Sequence, residues 1–316
     1  MERQAVTVEQ FFKEHTEALQ MRRLGGGELN GKRIIREPTV NRPGLALSGF
    51  TRYFAYKRVQ VMGHAEVFYL RSLRPEERQA RYAYLFAYKI PCIVFSRGLK
   101  PDKEFLAAAE QSGVPIFQTP LVTMKFINLA TLALETMFAP RSTELGSMVD
   151  ILGVGVIIRG ESGIGKSEAV LALIERGYSL VADDVVKAML VDNREILCTS
   201  SELTRNHMEV RGIGIINVAA MFGIKSIRKE KTLDLVISLK LWNEVKDVDR
   251  LGMEQEFVTI LGMDIPHITI PVRPGRDLAR LIEVAAFQTK LNKSGYNAAQ
   301  ELNKRLIAEM VPQTLP

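Results

Sequence analysis

Apolar and polar positions in the first 140 residues alternate between a helical and a strand period. Residues 1–22 carry helical spacing that opens at a Thr7 cap. Arg33 to Ile35 reads as a short strand, and Asn41-Arg42-Pro43-Gly44 as a turn. Arg74-Pro75-Glu76-Glu77 predicts a helix start, with proline early and acids in the first turn. Ile90 to Phe95 reads as a buried strand, Pro101 to Ser112 as a helix and Val114 to Phe117 as another strand. That succession predicts a small α/β domain. A helical stretch, Thr123 to Phe138, stops at Ala139-Pro140. The domain junction is placed along it, giving domains 1–130 and 131–316.

The second half begins with Met148 to Arg159, expected as two strands joined near Gly153. Another apolar run, Tyr178 to Ala182, follows the turn at Gly177. Residues 185–191 and 193–197 read as a hairpin turning at Asp192-Asn193. Met208 to Val218 is expected to be one apolar strand interrupted by Glu209, Arg211 and two glycines. Leu233 to Leu241 reads as a strand, and Asp247 to Gly252 as a charged turn. Ile268 to Arg276 places two arginines around a Pro-Gly turn, and Asp277 caps a long helix, Leu278 to Leu291. A last helix spans Asn297 to Met310.

Composition narrows the class without choosing a function. The 316 residues are 47% hydrophobic and 25% charged, enough apolar surface for two cores. A net charge of +6, spread along the chain, lacks the basic block that would suggest nucleic acid. The aromatic and basic residues between Phe50 and Val61 read as a partly buried face with snorkelling cations. Gly25-Gly26-Gly27 has no preceding apolar strand and reads as a turn. Cys92 and Cys198 sit in apolar contexts and are expected as buried thiols. The four histidines have no metal-ligand spacing. With no leader pattern and no apolar run near 18 residues, a cytoplasmic protein without a membrane partner is expected.

Chemistry concentrates in one stretch. The β-branched run Val154 to Arg159 enters Gly160-Glu161-Ser162-Gly163-Ile164-Gly165-Lys166-Ser167, and a helical pattern leaves it. Glycines in such a loop let successive backbone N–H groups line an anion nest at a helix N-terminus. Lys166 is then set to reach the outer phosphates, and the Ser167 hydroxyl to ligate Mg²⁺. Asp183 and Asp184 close the next apolar run. If the two runs are parallel strands joined by one crossover, both acids emerge beside the phosphate loop. One acid can serve Mg²⁺ while the other takes a proton from an attacking hydroxyl. Glu209, read as a charge in a buried strand, gains a reason for its burial as a metal ligand. The plainer alternative pairs it with Arg211 at the surface.

These segments resemble the HPr kinase/phosphorylase family in order and spacing. The likeness runs through the phosphate loop, Leu180 to Asp184, Met208 to Val218, Asp249 to Gly252 and Ile270 to Arg276. It continues into Ile282 to Phe287 and, in the first domain, Arg42 to Phe50 and Ile90 to Leu99. The resemblance implies a small N-terminal α/β domain and a C-terminal P-loop kinase domain of phosphoenolpyruvate carboxykinase type. It implies an enzyme that phosphorylates a serine of HPr, the phosphocarrier of the sugar phosphotransferase system, using ATP with Mg²⁺. It also implies removal of that phosphate by phosphorolysis, with inorganic phosphate consumed and pyrophosphate formed, and assembly as a homohexamer. Carried over by position, Gly160, Glu161, Ser162, Gly163, Ile164, Gly165, Lys166 and Ser167 bind ATP, and Ser167 and Glu209 serve the metal. Lys166 polarises phosphate oxygens, Asp184 with Asp183 beside it is the acid–base group, and Arg250 stabilises transferred charge. Pro271, Val272, Arg273, Pro274, Gly275 and Arg276 match the segment tied to dephosphorylation.

One position departs from the family. Leu145 stands where a histidine usually precedes Gly146, and its side chain can neither donate, accept nor carry a proton. Weakened phosphorolysis is expected, or a kinase-biased paralogue acting on another substrate. A small-molecule P-loop kinase and a nucleotide sensor are the further alternatives. The first domain and the Glu209 segment weigh against the former, and the intact Lys166, Asp184, Glu209 and Arg250 set against the latter.

Overall fold

Strands with both faces buried organise each half of the chain. The structure, a computed structural model, describes residues 5–245 and 255–310. It divides into two compact units at Ala139–Pro140, rather than at residue 130. The helix Thr123–Phe138 explains the position of that division. Its Phe126, Ala130 and Leu134 are all fully buried in the first unit's core, so the helix belongs to that unit throughout.

The first unit is a five-stranded sheet in the order Arg22–Gly25, Ile116–Gln118, Ile93–Phe95, Val59–Met62, Val40–Asn41. All but the first strand run parallel. Alternation along the strands feeds two cores. Val59, Val61, Val94 and Phe117 face one cluster, whereas Met62, Ile93, Phe95 and Ile116 face the other. Helices close both faces, as the β-α-β pattern predicts. The expected helix over residues 1–22 is shorter, Val8–His15. Thr7 caps it with Gln10 in a capping box, and the chain then joins the sheet at Arg22. Gly25 belongs to that edge strand, consistent with a non-catalytic reading of the triple glycine.

The second unit centres on a six-stranded mixed sheet. Its order is Ser179–Ala182, Ser147–Ile151, Val154–Gly160, Leu235–Leu241, Met263–Val272, Glu256–Ile260. The three strands from Val154–Gly160 to Met263–Val272 run parallel. Val156, Ile158, Leu235, Ile237 and Leu239 pack against the helices Lys166–Glu175 and Leu278–Lys293. The alternate residues Ile157 and Val236 instead meet Val186, Ala188, Ile196 and Cys198 of a second, four-stranded sheet. Helix layer, mixed sheet and covering sheet thus share two cores. Burial on both sides explains the near-continuous apolar runs in the sequence.

Local expectations hold with two corrections. The turn Asp192-Asn193 has positive φ at both residues, 51° and 54°, as a tight hairpin requires. Both cysteines are buried and free, and burial pushes each thiol up to about 12. The segment Met208 to Val218, however, is a hairpin of His207–Val210 and Gly214–Asn217, turning through Gly212 with φ 86°. Gly212 and Gly214, one residue apart after Arg211, favour a turn, and the buried single strand is not formed. The strand Ser179–Ala182 is also not the neighbour of Val154–Gly160. Ser147–Ile151 lies between them, antiparallel to both.

Candidate active site

Because an antiparallel strand separates them, Val154–Gly160 and Ser179–Ala182 still point the same way. Their C-terminal ends therefore open onto one sheet edge, where the phosphate loop and the Asp183-Asp184 turn meet. Gly163 and Gly165 take φ of 88° and 99°, and Gly165 stands at the N-terminus of Lys166–Glu175. A side chain at Gly163 would meet the Arg211 guanidinium at 2.9 Å, the movable end of a long side chain, so the left-handed φ is what calls for glycine here. The result is a cleft of about 160 Å³, walled by Glu161, Ser162, Lys166, Asp184, Glu209 and Arg211.

The two aspartates divide. Asp184 takes φ 58°, a left-handed conformation that is unusual for a side-chain-bearing residue. Its carbonyl accepts from Gly146 N–H at 2.9 Å, and its exposed carboxylate meets Lys166 Nζ at 3.1 Å. Asp183 turns inward and is buried. It accepts from the Ser147 hydroxyl at 2.6 Å and the Glu209 amide at 3.1 Å. Burial raises its pKa above the ordinary aspartate value, while those two hydrogen bonds pull the other way. Asp183 thus ties the sheet to the Glu209 hairpin, leaving Asp184 to face the cleft.

Glu209 is exposed on the hairpin, so no burial penalty needs explaining. The suggested Glu209–Arg211 pair is not what forms. Arg211 instead donates to Ser162 Oγ at 2.7 Å across the phosphate loop. Ser147 and Arg211 are the site residues for which no role in the cleft was expected. The sequence signal for Arg211 was its place in the Met208 to Val218 segment, between a valine and Gly212.

The Pro271–Arg276 loop leaves the same sheet edge, since Met263–Val272 runs parallel to Leu235–Leu241 and Val154–Gly160. It does not line the cleft itself. The Arg273 guanidinium lies 3.2 Å from the centroid of the Trp242 ring, and Arg276 donates to the Pro271 carbonyl at 2.9 Å. Arg250 and the charged turn around it lie outside the described residues. Leu145, 74% exposed, pairs in register with Val185, the residue after Asp184. Leu145 therefore sits beside the Asp184 turn.

Among the described residues, no three His, Cys, Asp or Glu side chains converge on a point that could hold a metal. A Mg²⁺ ion carried by phosphates needs few protein oxygens, because it keeps waters and phosphate ligands. The cleft offers the Ser167 hydroxyl with the Asp184 and Glu209 carboxylates, a hard-oxygen set of that kind. Among the described residues, no helix is long and apolar enough to cross a membrane.

Comparison with known proteins follows the same division of the chain. The family model described as HPr Serine kinase N terminus matches residues 6–134. The model described as HPr Serine kinase C-terminal domain matches residues 136–306. An HPr kinase/phosphorylase of Caldanaerobacter subterraneus subsp. tengcongensis is 43% identical over 281 residues, 89% of this chain and 92% of that protein. One from Leptospira biflexa is 39% identical over 303 residues, 95% of this chain and 94% of that protein. The solved Hpr(Ser) kinase/phosphatase of Coxiella burnetii is 33% identical, with a TM-score of 0.47. It covers 51% of this chain and 98% of its own.

Proposed function

The chain belongs to the HPr kinase/phosphorylase family, and from that premise we propose an ATP-dependent protein kinase that phosphorylates a serine of HPr and reverses the transfer by phosphorolysis. The observation that carries this reading is the 3.1 Å contact between Lys166 and Asp184 at the mouth of the phosphate loop.

In the forward direction the loop amides and Lys166 hold the triphosphate at the helix N-terminus. Arrival of the phosphates draws Lys166 away from Asp184, freeing the carboxylate. Asp184 then takes the proton of the serine hydroxyl as that oxygen bonds to the γ-phosphorus, and the bond to ADP breaks. In reverse, an oxygen of inorganic phosphate attacks the phosphoserine phosphorus. The serine oxygen departs, taking its proton from Asp184, and pyrophosphate is released. Asp183 is a positioning residue that fixes the turn and the Glu209 hairpin. Ser167 and Glu209 would supply oxygens that fit Mg²⁺, which when bound offsets charge on the phosphate oxygens. Arg250 completes the charge set by position in the sequence, and Pro271 to Arg276 serve the reverse reaction. A cytoplasmic homohexamer is the assembly the family membership suggests.

A second reading is favoured by the exposed Leu145 beside the Asp184 turn: a kinase-biased member, or one with a different protein substrate. One experiment separates the two. The protein is mixed with Mg²⁺-ATP and HPr from the same organism and assayed for phosphoserine. Inorganic phosphate is then added and pyrophosphate is measured. Transfer with reversal supports the bifunctional reading, transfer alone supports the biased one, and no transfer overturns both and leaves a different protein substrate.

A further inference from the structure

The first unit carries a cationic cleft of its own. Lys32, Arg33, Arg36, Lys57 and Lys89 line one cavity of about 610 Å³, together with Tyr56. No acidic side chain lines it. Among the described residues, none of the five cations makes an ion pair. Glu37, the acid next to Arg36, is already engaged by Arg58. Arg33 is half-buried and donates only to backbone carbonyls, to Ile90 at 2.6 Å and to Ser112. Burial lowers its pKa, which marks a charge held at a cost rather than one relaxed into solvent. The backbone fixes the arrangement, since Arg36 N–H donates to the Lys57 carbonyl at 3.2 Å.

Five like charges converging on a concave surface repel one another, and their summed field favours an anion that can enter. Concavity and size decide the form of that anion. The volume is that of a small-molecule pocket, and Arg33 is half-buried in its wall. The exposed Arg36 guanidinium suits phosphate oxygens, with the lysines adding point charges, while Arg33, its two terminal nitrogens held by backbone carbonyls, adds a fixed positive charge. Tyr56 supplies an aromatic edge to the same cavity.

We propose that this cleft, formed by Lys32, Arg33, Arg36, Lys57 and Lys89, is a binding site for a small molecule bearing two or more phosphoryl groups, separate from the phosphate loop of the second unit.

The test is hydrogen–deuterium exchange on the full chain at about 0.15 M salt, where surface attraction is largely screened. Inorganic tripolyphosphate is the first probe. Protection of residues 30–37, 54–58 and 88–91, in addition to residues 160–168, is expected. In a Lys57→Glu/Lys89→Glu variant, protection of the first three segments should need about 100-fold more ligand, tenfold per charge-assisted contact. Protection of residues 160–168 should be unchanged in that variant. Both lysines are exposed, and a Lys57→Gln/Lys89→Gln variant with an intermediate shift excludes misfolding as the cause. ATP is the second probe. A gain over tripolyphosphate that Tyr56→Ala abolishes assigns a nucleotide, and equal binding assigns the phosphoryl groups alone. The proposal is overturned if only residues 160–168 are protected, or if the charge-reversed variant binds normally. An oligonucleotide that protects the same segments at lower concentration than tripolyphosphate also overturns it.

Discussion

Arg211 reaches across the phosphate loop and donates to Ser162 Oγ at 2.7 Å, so a cation from the Glu209 hairpin lies over the anion nest. The hairpin is itself anchored by Asp183, through the amide of Glu209. A bound phosphate offers this guanidinium a charged acceptor in place of a serine hydroxyl. Arg211→Ala is therefore expected to weaken Mg²⁺-ATP binding by about 10- to 100-fold, the range for a charge-assisted hydrogen bond. Calorimetry with the nucleotide measures it. Tighter binding in the variant would mean that Arg211 obstructs the loop.

Asp184 faces the cleft, and among the described residues only Lys166 holds its carboxylate. Asp184→Asn keeps the size and removes the base. Transfer to HPr should fall by about 10²–10⁴-fold, the usual contribution of general-base catalysis. Nucleotide affinity should change little. Parallel loss of affinity and rate would assign the residue a structural role instead.

Asp183 serves the fold at the site. Asp183→Ala leaves the buried Ser147 hydroxyl and the Glu209 amide without their acceptor. Denaturant unfolding should show a loss of about 2–6 kcal/mol, since each of the two orphaned groups costs about 1–3 kcal/mol. Asp183→Asn retains one acceptor oxygen and should lose less. Equal stability of wild type and Asp183→Ala would remove the anchoring role.

Leu145 pairs with Val185 immediately after the acid–base turn, and its side chain is exposed there. Leu145→His introduces a ring able to donate to a phosphate oxygen. Phosphorolysis should rise about tenfold, the value of one charge-assisted contact, with a smaller effect on the forward reaction. Unchanged rates in both directions would remove any role for this position.

Glu283 lies under the C-terminal end of the phosphate-loop helix. It accepts from the Tyr178 hydroxyl and from Arg176 and Arg280, at 3.2 Å and 3.0 Å for the two arginines. The Tyr178 hydrogen bond, with help from the arginines, holds its carboxyl below the ordinary glutamate value. Burial pushes the Tyr178 hydroxyl up to about 12. A depressed carboxyl pKa adds stability that is complete above the unfolded value of about 4.3 and fades as pH falls through the folded value. Unfolding free energy measured from neutral to acid pH should therefore decline more steeply in wild type than in Glu283→Gln. Parallel pH curves would deny Glu283 this role.

The strands legible in the sequence were those with strong local signals. Val154 to Arg159 and Leu233 to Leu241 are apolar because both faces are covered, and Asp192-Asn193 because two left-handed residues suit a tight hairpin. Met208 to Val218 misled because its apolar content outweighed the turn signal of Gly212 and Gly214. Glu209 then looked buried, and a functional argument rested on that burial.

Local chemistry alone determined the glycine-rich loop, the lysine and serine that follow it, and the acid pair that closes the next run. Each depends on residues adjacent in the chain, where spacing and side-chain type are sufficient. Tertiary structure alone decided which acid faces the cleft, which cation spans the loop, and that five basic residues between 32 and 89 share one cavity. Those relations join segments far apart in sequence, and only the pairing of strands and the packing of their covered faces brings such segments within reach of one another.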